Sequence, residues 1–234
     1  MKIKKLKFIL IIYSVFTFSY LNAQERDKIF LEENGCVSVE AEHFYKQTQN
    51  QHREWVVIDS DQYKYADQDG DKGEYATACA ATFIELLPDT RRTHADKLVK
   101  GENFSGTPGI AVVEYQIYFN TPGKYYVWVR AFSTGTEDNG IHVGLDGEWP
   151  ESGKRMQWCK GKNEWTWESK QRTKEHHCGE AEKIFLEIKE KGVHSIQFSM
   201  REDGFAFDKF QLSTSYEKPL NFGIDEKIYS SNPN

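Results

Sequence analysis

Three carboxylates have the residue types and spacing that a calcium ion needs. Glu40 and Glu42 are two residues apart in the strand-like segment 37–42, so both side chains are expected on one face. Asp208 shares a face with Phe210 in a later strand-like segment, and a carboxylate aligned with core residues needs a partner. Calcium takes several oxygen ligands, so the pattern predicts a structural calcium site at Glu40, Glu42 and Asp208. The alternative is a pair of edge-strand charges and an aspartate paired with lysine.

A long connection, residues 148–182, is rich in tryptophan, and it is the place where ligand contacts are expected. Trp158, Trp165 and Trp167 belong to it, and the last two face the same way if their segment is extended. A flat indole exposed on a loop stacks on the apolar face of a sugar. The competing interpretation is that the indoles seal the loop against the core, and we expect this for one or two of them.

Two shorter polar loops are expected to gather beside the tryptophan loop and form a cleft with it. Their candidate carbohydrate-binding residues are Glu137, Asp138 and Asn139 in the first loop, and Arg201, Asp203 and Phe205 in the second. Loops on a rigid scaffold are the usual place for binding residues.

The chain has four cysteines, Cys36, Cys79, Cys159 and Cys178, which predict disulfides in an exported protein. Cys159 and Cys178 are the nearest pair, and Cys36 would then pair with Cys79. The alternative is a metal site that uses the Cys159 and Cys178 thiolates with the histidines at 176 and 177.

No catalytic signature is present: the sequence lacks a nucleophile elbow, a phosphate-binding loop and a zinc-binding H-E-x-x-H motif. The enzyme hypothesis that remains is a small polysaccharide lyase or hydrolase on a jelly-roll scaffold. It requires Arg201, His142 and Tyr126 to converge with acids from the loops. A third hypothesis is a module that binds another protein through its aromatic residues.

The elements that must position these residues are strands. Segments with alternating apolar residues are bounded by Gly, Pro, Asn and Asp, while helical periodicity is weak everywhere. The predicted strands are 37–42, 81–87, 110–119, 124–132, 141–145, 184–188, 193–200 and 205–212. The turn Asn-Thr-Pro-Gly at 120–123 predicts that the strands on either side of it form a hairpin. The pattern predicts an all-β fold, an antiparallel β-sandwich or jelly roll.

The N-terminus predicts export. Four lysines precede the apolar stretch 8–20, and a small residue, Ala23, precedes the first polar segment. We therefore expect a signal peptide at 1–23, a sandwich at 24–213 and a loosely packed tail at 214–234. Loss of the four lysines changes the net charge from −6 to −10, which argues against nucleic-acid partners and anionic membrane surfaces. After cleavage no membrane insertion is expected, and the location is periplasm, cell surface or exterior.

Five motifs in order resemble family 6 and family 35 carbohydrate-binding modules. They are VEAEHF at 39–44, GKYYVWVRA at 123–131, GIHVGLDG at 140–147, GVHSI at 192–196 and FDKF at 207–210. The last third is also similar to the C-terminal accessory domain of family 115 glycoside hydrolases. The resemblance spans residues 37–213, nearly all of the expected mature chain.

The resemblance implies a galactose-binding-like β-sandwich with a structural calcium held by Glu40, Glu42 and Asp208. It also implies a secreted, non-catalytic protein that recognises a polysaccharide or oligosaccharide, with a glycoside hydrolase as a partner. The acidic balance of the chain argues against sulfated or uronic polysaccharides held mainly by charge, unless a local basic pocket overrides it.

Overall fold

The chain folds into two β-sheets packed face to face, which confirms the predicted β-sandwich. The computed structural model describes residues 28–59, 68–69 and 77–230. The predicted signal peptide at 1–23 lies outside these residues. No helix within the described ranges is long and apolar enough to cross a membrane.

The first sheet, sheet A, follows the order β1–β6–β12–β8–β9, with β3 also paired to β6. Its strands are β1 (Ile29–Leu31), β3 (Lys46–Thr48), β6 (Val112–Phe119), β8 (Gly140–Leu145), β9 (Met156–Gln157) and β12 (Gly192–Met200). All its pairings are antiparallel except β1 with β6.

The second sheet, sheet B, follows the order β10–β7–β13–β5–β4, with β11 on β7 and β2 on β13. Its strands are β2 (Cys36–Glu40), β4 (Glu54–Ile58), β5 (Phe83–Leu87), β7 (Gly123–Phe132), β10 (Thr166–Glu168), β11 (Phe185–Ile188) and β13 (Ala206–Ser213). Each of its pairings is antiparallel.

Aromatic residues fill the space between the sheets. Tyr115 of β6 meets Phe210 of β13 edge to face at 4.8 Å, and Phe198 meets Phe207 at 4.9 Å. All four rings are completely buried, and burying each one stabilises the fold by roughly 1.5–3 kcal/mol. The phenol of Tyr115 donates a 2.6 Å hydrogen bond to the carbonyl of Ala41, so its polar end is satisfied.

The predicted hairpin at residues 120–123 is wrong. β6 pairs within sheet A and β7 pairs within sheet B, so the turn is a corner that carries the chain from one sheet to the other. The apolar residues on the inner faces of both strands explain this, because the two strands face each other across the core instead of lying side by side.

Only one of the two predicted disulfides is present in the described residues. Cys159 and Cys178 are bonded, with their Cα atoms 5.4 Å apart, and this bond replaces the alternative of a Cys–His metal site. Cys36 and Cys79 are free thiols, so their predicted pairing is wrong. Cys36 begins β2, whereas the Cys79 thiol donates to Glu40 at the other end of that strand. Cys36 and Glu40 are four residues apart along β2, so the two thiols lie near positions that are about 13 Å apart.

The tail beyond β13 is held along the sandwich as far as residue 230. The amide of Leu31 donates to the carbonyl of Lys227 at 2.8 Å, and the amide of Tyr229 donates to the carbonyl of Ile29 at 2.7 Å. The ring of Tyr229 stacks on Tyr118 at 4.1 Å. A single antiparallel bridge between Ile228 and Phe30 thus ties the end of the tail to β1, while most of the other residues of the tail are exposed.

Candidate functional site

The loops that the sequence singled out do meet at one end of the sandwich, here named the loop end. It consists of the connections 88–111, 133–139 and 201–205, with the segment 154–172 beside them. The amide of Asn139 donates to Glu202 Oε2 at 3.1 Å, which joins the second of these loops to the third. The side-chain amide of Gln157 donates to Asn139 Oδ1, which joins the segment 154–172 to the same group of loops.

Glu137 and Asp138 are buried and hold the loop in shape. Glu137 pairs with Arg91 and with His94, the latter at 2.5 Å. Asp138 accepts hydrogen bonds from the amides of Thr134 and Gly135 at 2.6 and 3.0 Å. Such bonds fix the loop before any ligand arrives, which lowers the entropic cost of binding.

Asp203 and Phe205 are completely buried, so they support the loop end without offering a surface to a ligand. Asp203 Oδ2 accepts from Arg53 Nη2 at 2.6 Å and from the amide of Thr90 at 2.8 Å. Phe205 packs edge to face on Trp158 at 5.1 Å. The role of Arg53 was missed because its segment is 150 residues away from Asp203 in sequence and carries no motif.

The connection 88–111 closes over the third loop. The amide of Ser105 donates to the carbonyl of Arg201 at 2.9 Å, and Phe104 forms a bridge with Glu202. The Arg201 guanidinium lies 5.5 Å from the centre of the Phe104 ring. This cover explains why so many polar groups at the loop end are buried.

The three candidate tryptophans have different roles. Trp158 is 1% exposed and its indole N–H donates to the carbonyl of Thr166 at 3.2 Å. Trp167 is 4% exposed and its N–H donates to the carbonyl of Asn221 at 3.0 Å. Both therefore lack the bare face that stacking on a sugar requires. Trp165 is half-buried, so of the three it is the one that is not fully enclosed.

Trp165 lies beside a cation. The guanidinium of Arg130 is 5.5 Å from the centre of the Trp165 ring and 4.8 Å from that of Phe222, which is 46% exposed. The edges of Phe83 and Phe132 pack against the same indole. These contacts hold the indole ring of Trp165 rigidly at the place where sheet B meets the loop end.

His142 lies on the outer face of β8 and is held in its neutral form. Its Nδ1 accepts from the amide of Arg155 at 2.9 Å, and its Nε2 donates to the carbonyl of Ser105 at 3.2 Å. Burial lowers the pKa of His142 to about 4, and the nearby Arg201 and Arg155 act in the same direction. The convergence required by the enzyme hypothesis does not form, because Tyr126 lies in the other sheet.

The predicted calcium ligands gather at the end of β2, but not for the reason inferred from the sequence. Glu42 is in a 3₁₀ turn, Ala41–His43, so strand alternation does not apply to it. Glu40 Oε1 accepts from Lys209 Nζ at 2.7 Å. Asp208 is buried, pairs with Arg130 and accepts from the amide of Cys79 at 2.7 Å.

Two carboxylate oxygens in this group, Glu40 Oε2 and Glu42 Oε2, are buried without a hydrogen-bond partner among the described residues. Burial raises the pKa of Glu42 to about 8 and that of Asp208 to about 6. As the side chains stand, no group of three or more His, Cys, Asp or Glu residues within the described ranges is arranged to hold a metal ion. The oxygen-only donor set and the two orphaned oxygens nevertheless fit calcium, provided that the carboxylates turn toward it.

Solved carbohydrate-binding modules resemble this fold only loosely. The family 35 module of Clostridium thermocellum has a TM-score of 0.42 at 11% identity, covering 77% of this chain and 98% of that one. The family 35 module of Paenibacillus barcinonensis has a TM-score of 0.43 at 13% identity, covering 76% of this chain and 98% of that one. No functional argument rests on likeness at this level.

A relative in sequence is a protein of Formosa agariphila designated uncharacterized protein P23. It is 55% identical over 206 residues, which are 87% of this chain and 50% of that protein. The chain therefore spans about half the length of the curated relative that it matches. The resemblance to a hydrolase accessory domain inferred from the sequence motifs is confirmed, because residues 86–225, more than half of the chain, match the glycosyl hydrolase family 115 C-terminal domain, and the chain belongs to that family.

Proposed function

We propose that this chain is a non-catalytic domain that binds a polysaccharide at the loop end. Membership of a glycosyl hydrolase domain family supports a carbohydrate-related role. The observation that carries the proposal is the convergence of three polar loops around Asn139 and Glu202, beside the half-buried ring of Trp165. The buried polar groups hold these loops rigid, and a rigid rim with polar side chains next to an aromatic ring is the combination that sugar hydroxyls and the apolar face of a pyranose require.

The proposal assigns the contacts to exposed or half-buried groups only. The ring of Trp165, next to sheet B, stacks on one sugar, while Arg155 and Arg172, which are half-buried beside sheet A, bind polar groups of another sugar of the same polysaccharide. Glu137, Asp138, Asn139, Asp203 and Phe205 hold these groups in place from beneath. Trp158 and Trp167 act in packing.

Isothermal titration calorimetry against a panel of plant and algal polysaccharides tests this function. We expect measurable binding by the native chain and about fivefold weaker binding by Trp165→Ala, since one stacked ring contributes about 1 kcal/mol. Trp149→Ala is the matched control, because Trp149 is also half-buried but lies at the opposite end of the sandwich, over Gly144. Absence of binding across the panel, or equal losses in the two variants, contradicts the proposal.

Calcium remains part of the proposal, as a structural ion at Glu40, Glu42 and Asp208. It would neutralise the two orphaned oxygens and so stabilise the end of β2. A concentration of 100 times the dissociation constant adds about 2.7 kcal/mol, which should raise Tm by roughly 5–10 °C. Thermal unfolding in calcium, in magnesium and in chelator measures this. The Tm of Glu42→Gln should not rise on addition of calcium. If calcium does not raise the Tm of the native chain either, no such site exists.

Export to the periplasm, the cell surface or the exterior is proposed as well. It rests on the sequence of residues 1–23 and agrees with the disulfide between Cys159 and Cys178, since such bonds persist in oxidising compartments. A glycoside hydrolase is the proposed partner, because the matching family is named as a domain of such enzymes.

A further inference from the structure

Three arginines from separate segments come together beside sheet A near the loop end. The bridge between Met156 and Gln171 places Arg155 directly opposite Arg172, and the amide of Arg172 donates to the carbonyl of Arg155 at 2.8 Å. Arg155 has a positive φ of 58° just before β9, so strand alternation does not set the direction of its side chain, which is 41% exposed. Burial lowers the pKa of Arg201, and the nearby charges of Arg172 and Arg155 act in the same direction, which places the three guanidinium groups in one neighbourhood.

Arg201 reaches the same area from β12. Met200 pairs with Ile141, and this register places Arg201 opposite Gly140. Gly140 in turn pairs with Gln157 of β9. The Arg201 side chain extends over Gly140, where a Cβ atom would lie 2.9 Å from its Cδ. The glycine thus lets the guanidinium lie toward the strand that carries Arg155.

The acids nearby are already engaged. Glu202 pairs with Arg201 and accepts from the amide of Asn139, and Glu151 is shared by Lys154 and Arg155 at 3.0 and 3.2 Å. Glu180 accepts from the Thr173 hydroxyl at 2.8 Å.

Nε of Arg201, whose side chain is 4% exposed, has no partner among the described residues. Arg155 shares one exposed carboxylate with Lys154, and Arg172 forms no ion pair among the described residues, so the three arginines have more donors than local acceptors.

We propose that Arg155, Arg172 and Arg201 form a subsite for the anionic group of an acidic polysaccharide, either a uronate carboxylate or a sulfate ester. Planar guanidinium groups bind such oxyanions through paired charge-assisted hydrogen bonds. The 41% exposed side chain of Arg155 and the half-buried Arg172 make the contacts, and Arg201 positions them from below. This inference rests on the proposed function and names its ligand class, and it gives an otherwise acidic chain a local place for a charged glycan.

The test compares three polymers by isothermal titration calorimetry: polygalacturonate, dextran sulfate and uncharged dextran. We expect one or both anionic polymers to bind and dextran to bind at least tenfold more weakly. Arg155→Gln and Arg172→Gln should each weaken anionic binding about tenfold or more. Comparison of polygalacturonate with dextran sulfate shows whether the subsite binds a carboxylate or a sulfate ester.

Lys191→Gln is the charge-matched control, because Lys191 adjoins the far end of β12. Equal losses in this variant would indicate non-specific charge attraction and overturn the inference. Binding of neutral glycans that both arginine variants retain would also overturn it and leave the proposed function standing. A native chain that binds no polymer, charged or neutral, overturns both. Melting temperatures of the arginine variants within a few degrees of the native value establish that they are folded.

Discussion

Arg201 and Gly140 lie in contact across neighbouring strands, with no room for a side chain at position 140. A Cβ atom there would stand 2.9 Å from Cδ of Arg201 and 3.1 Å from Oε2 of Glu202. The buried ion pair at the loop end therefore depends on a glycine in β8.

Gly140→Ala should destabilise the chain by about 1–3 kcal/mol, because the added methyl group must displace a buried, ion-paired side chain. It should also weaken glycan binding, since the Arg201 guanidinium moves. Urea unfolding and calorimetry measure the two effects. Gly106→Ala is the control: a Cβ atom there meets nothing within 4 Å, so its stability should stay within about 0.5 kcal/mol of the native value. A Gly140→Ala protein with native stability would contradict this geometry.

Trp158→Ala should cost about 3–5 kcal/mol of unfolding free energy, because the indole is 1% exposed and packs on Phe205. Trp165→Ala should cost clearly less, because that ring is half-buried. Chemical denaturation of the two variants makes the comparison. If the two losses were equal, the distinction between a core tryptophan and a surface tryptophan would be wrong.

His142 should contribute a loss of stability as the pH drops from about 6.5 to about 4, opposed by Glu42 and Asp208, whose raised pKa values let the folded chain take up protons more readily than the unfolded chain. The unfolded chain takes up this proton near pH 6.5, but the folded chain does so only near pH 4, since burial lowers the pKa of the ring to about 4. The contribution of His142 is therefore complete above pH 6.5, and about 3 kcal/mol of it is lost by pH 4, which the difference between the native chain and His142→Gln isolates. Unfolding free energies measured across this range test the slope.

His142→Gln should remove that part of the pH dependence. Glutamine can donate to the carbonyl of Ser105 and accept from the amide of Arg155, as the neutral ring does. An unchanged slope in this variant would assign the effect to other groups.

The unfolded, unreduced chain should contain two free thiols, Cys36 and Cys79, and peptide mapping should recover the bond between Cys159 and Cys178. Removing the bond with the double substitution of Cys159 and Cys178 by serine should cost about 3 kcal/mol, as expected for a loop closed over 19 residues. Cys36→Ser, which removes a free thiol, is the control. Recovery of a peptide that joins Cys36 to Cys79 would contradict the assignment.

Local patterning in the sequence determined eight of the strands, whereas β1, β3, β4, β9 and β10 were not predicted. In β6 the residues Val113, Tyr115, Ile117 and Phe119 alternate with polar neighbours, and all four are completely buried. Period-two alternation reports burial of one face directly, so both the strands and the all-β class follow from it. Strand ends shifted by one or two residues, because turns and caps compete there with the ladder.

The tertiary structure alone decided which elements meet. The turn at 120–123 is compatible with a hairpin or with a corner between sheets, and only packing of both strands against the core selects the corner. The segment 148–182 carries no alternation, so neither the burial of Trp158 nor the opposition of Arg155 and Arg172 could be predicted. Contacts between residues far apart in sequence depend on how the whole chain fills its core, and local residue types do not encode that.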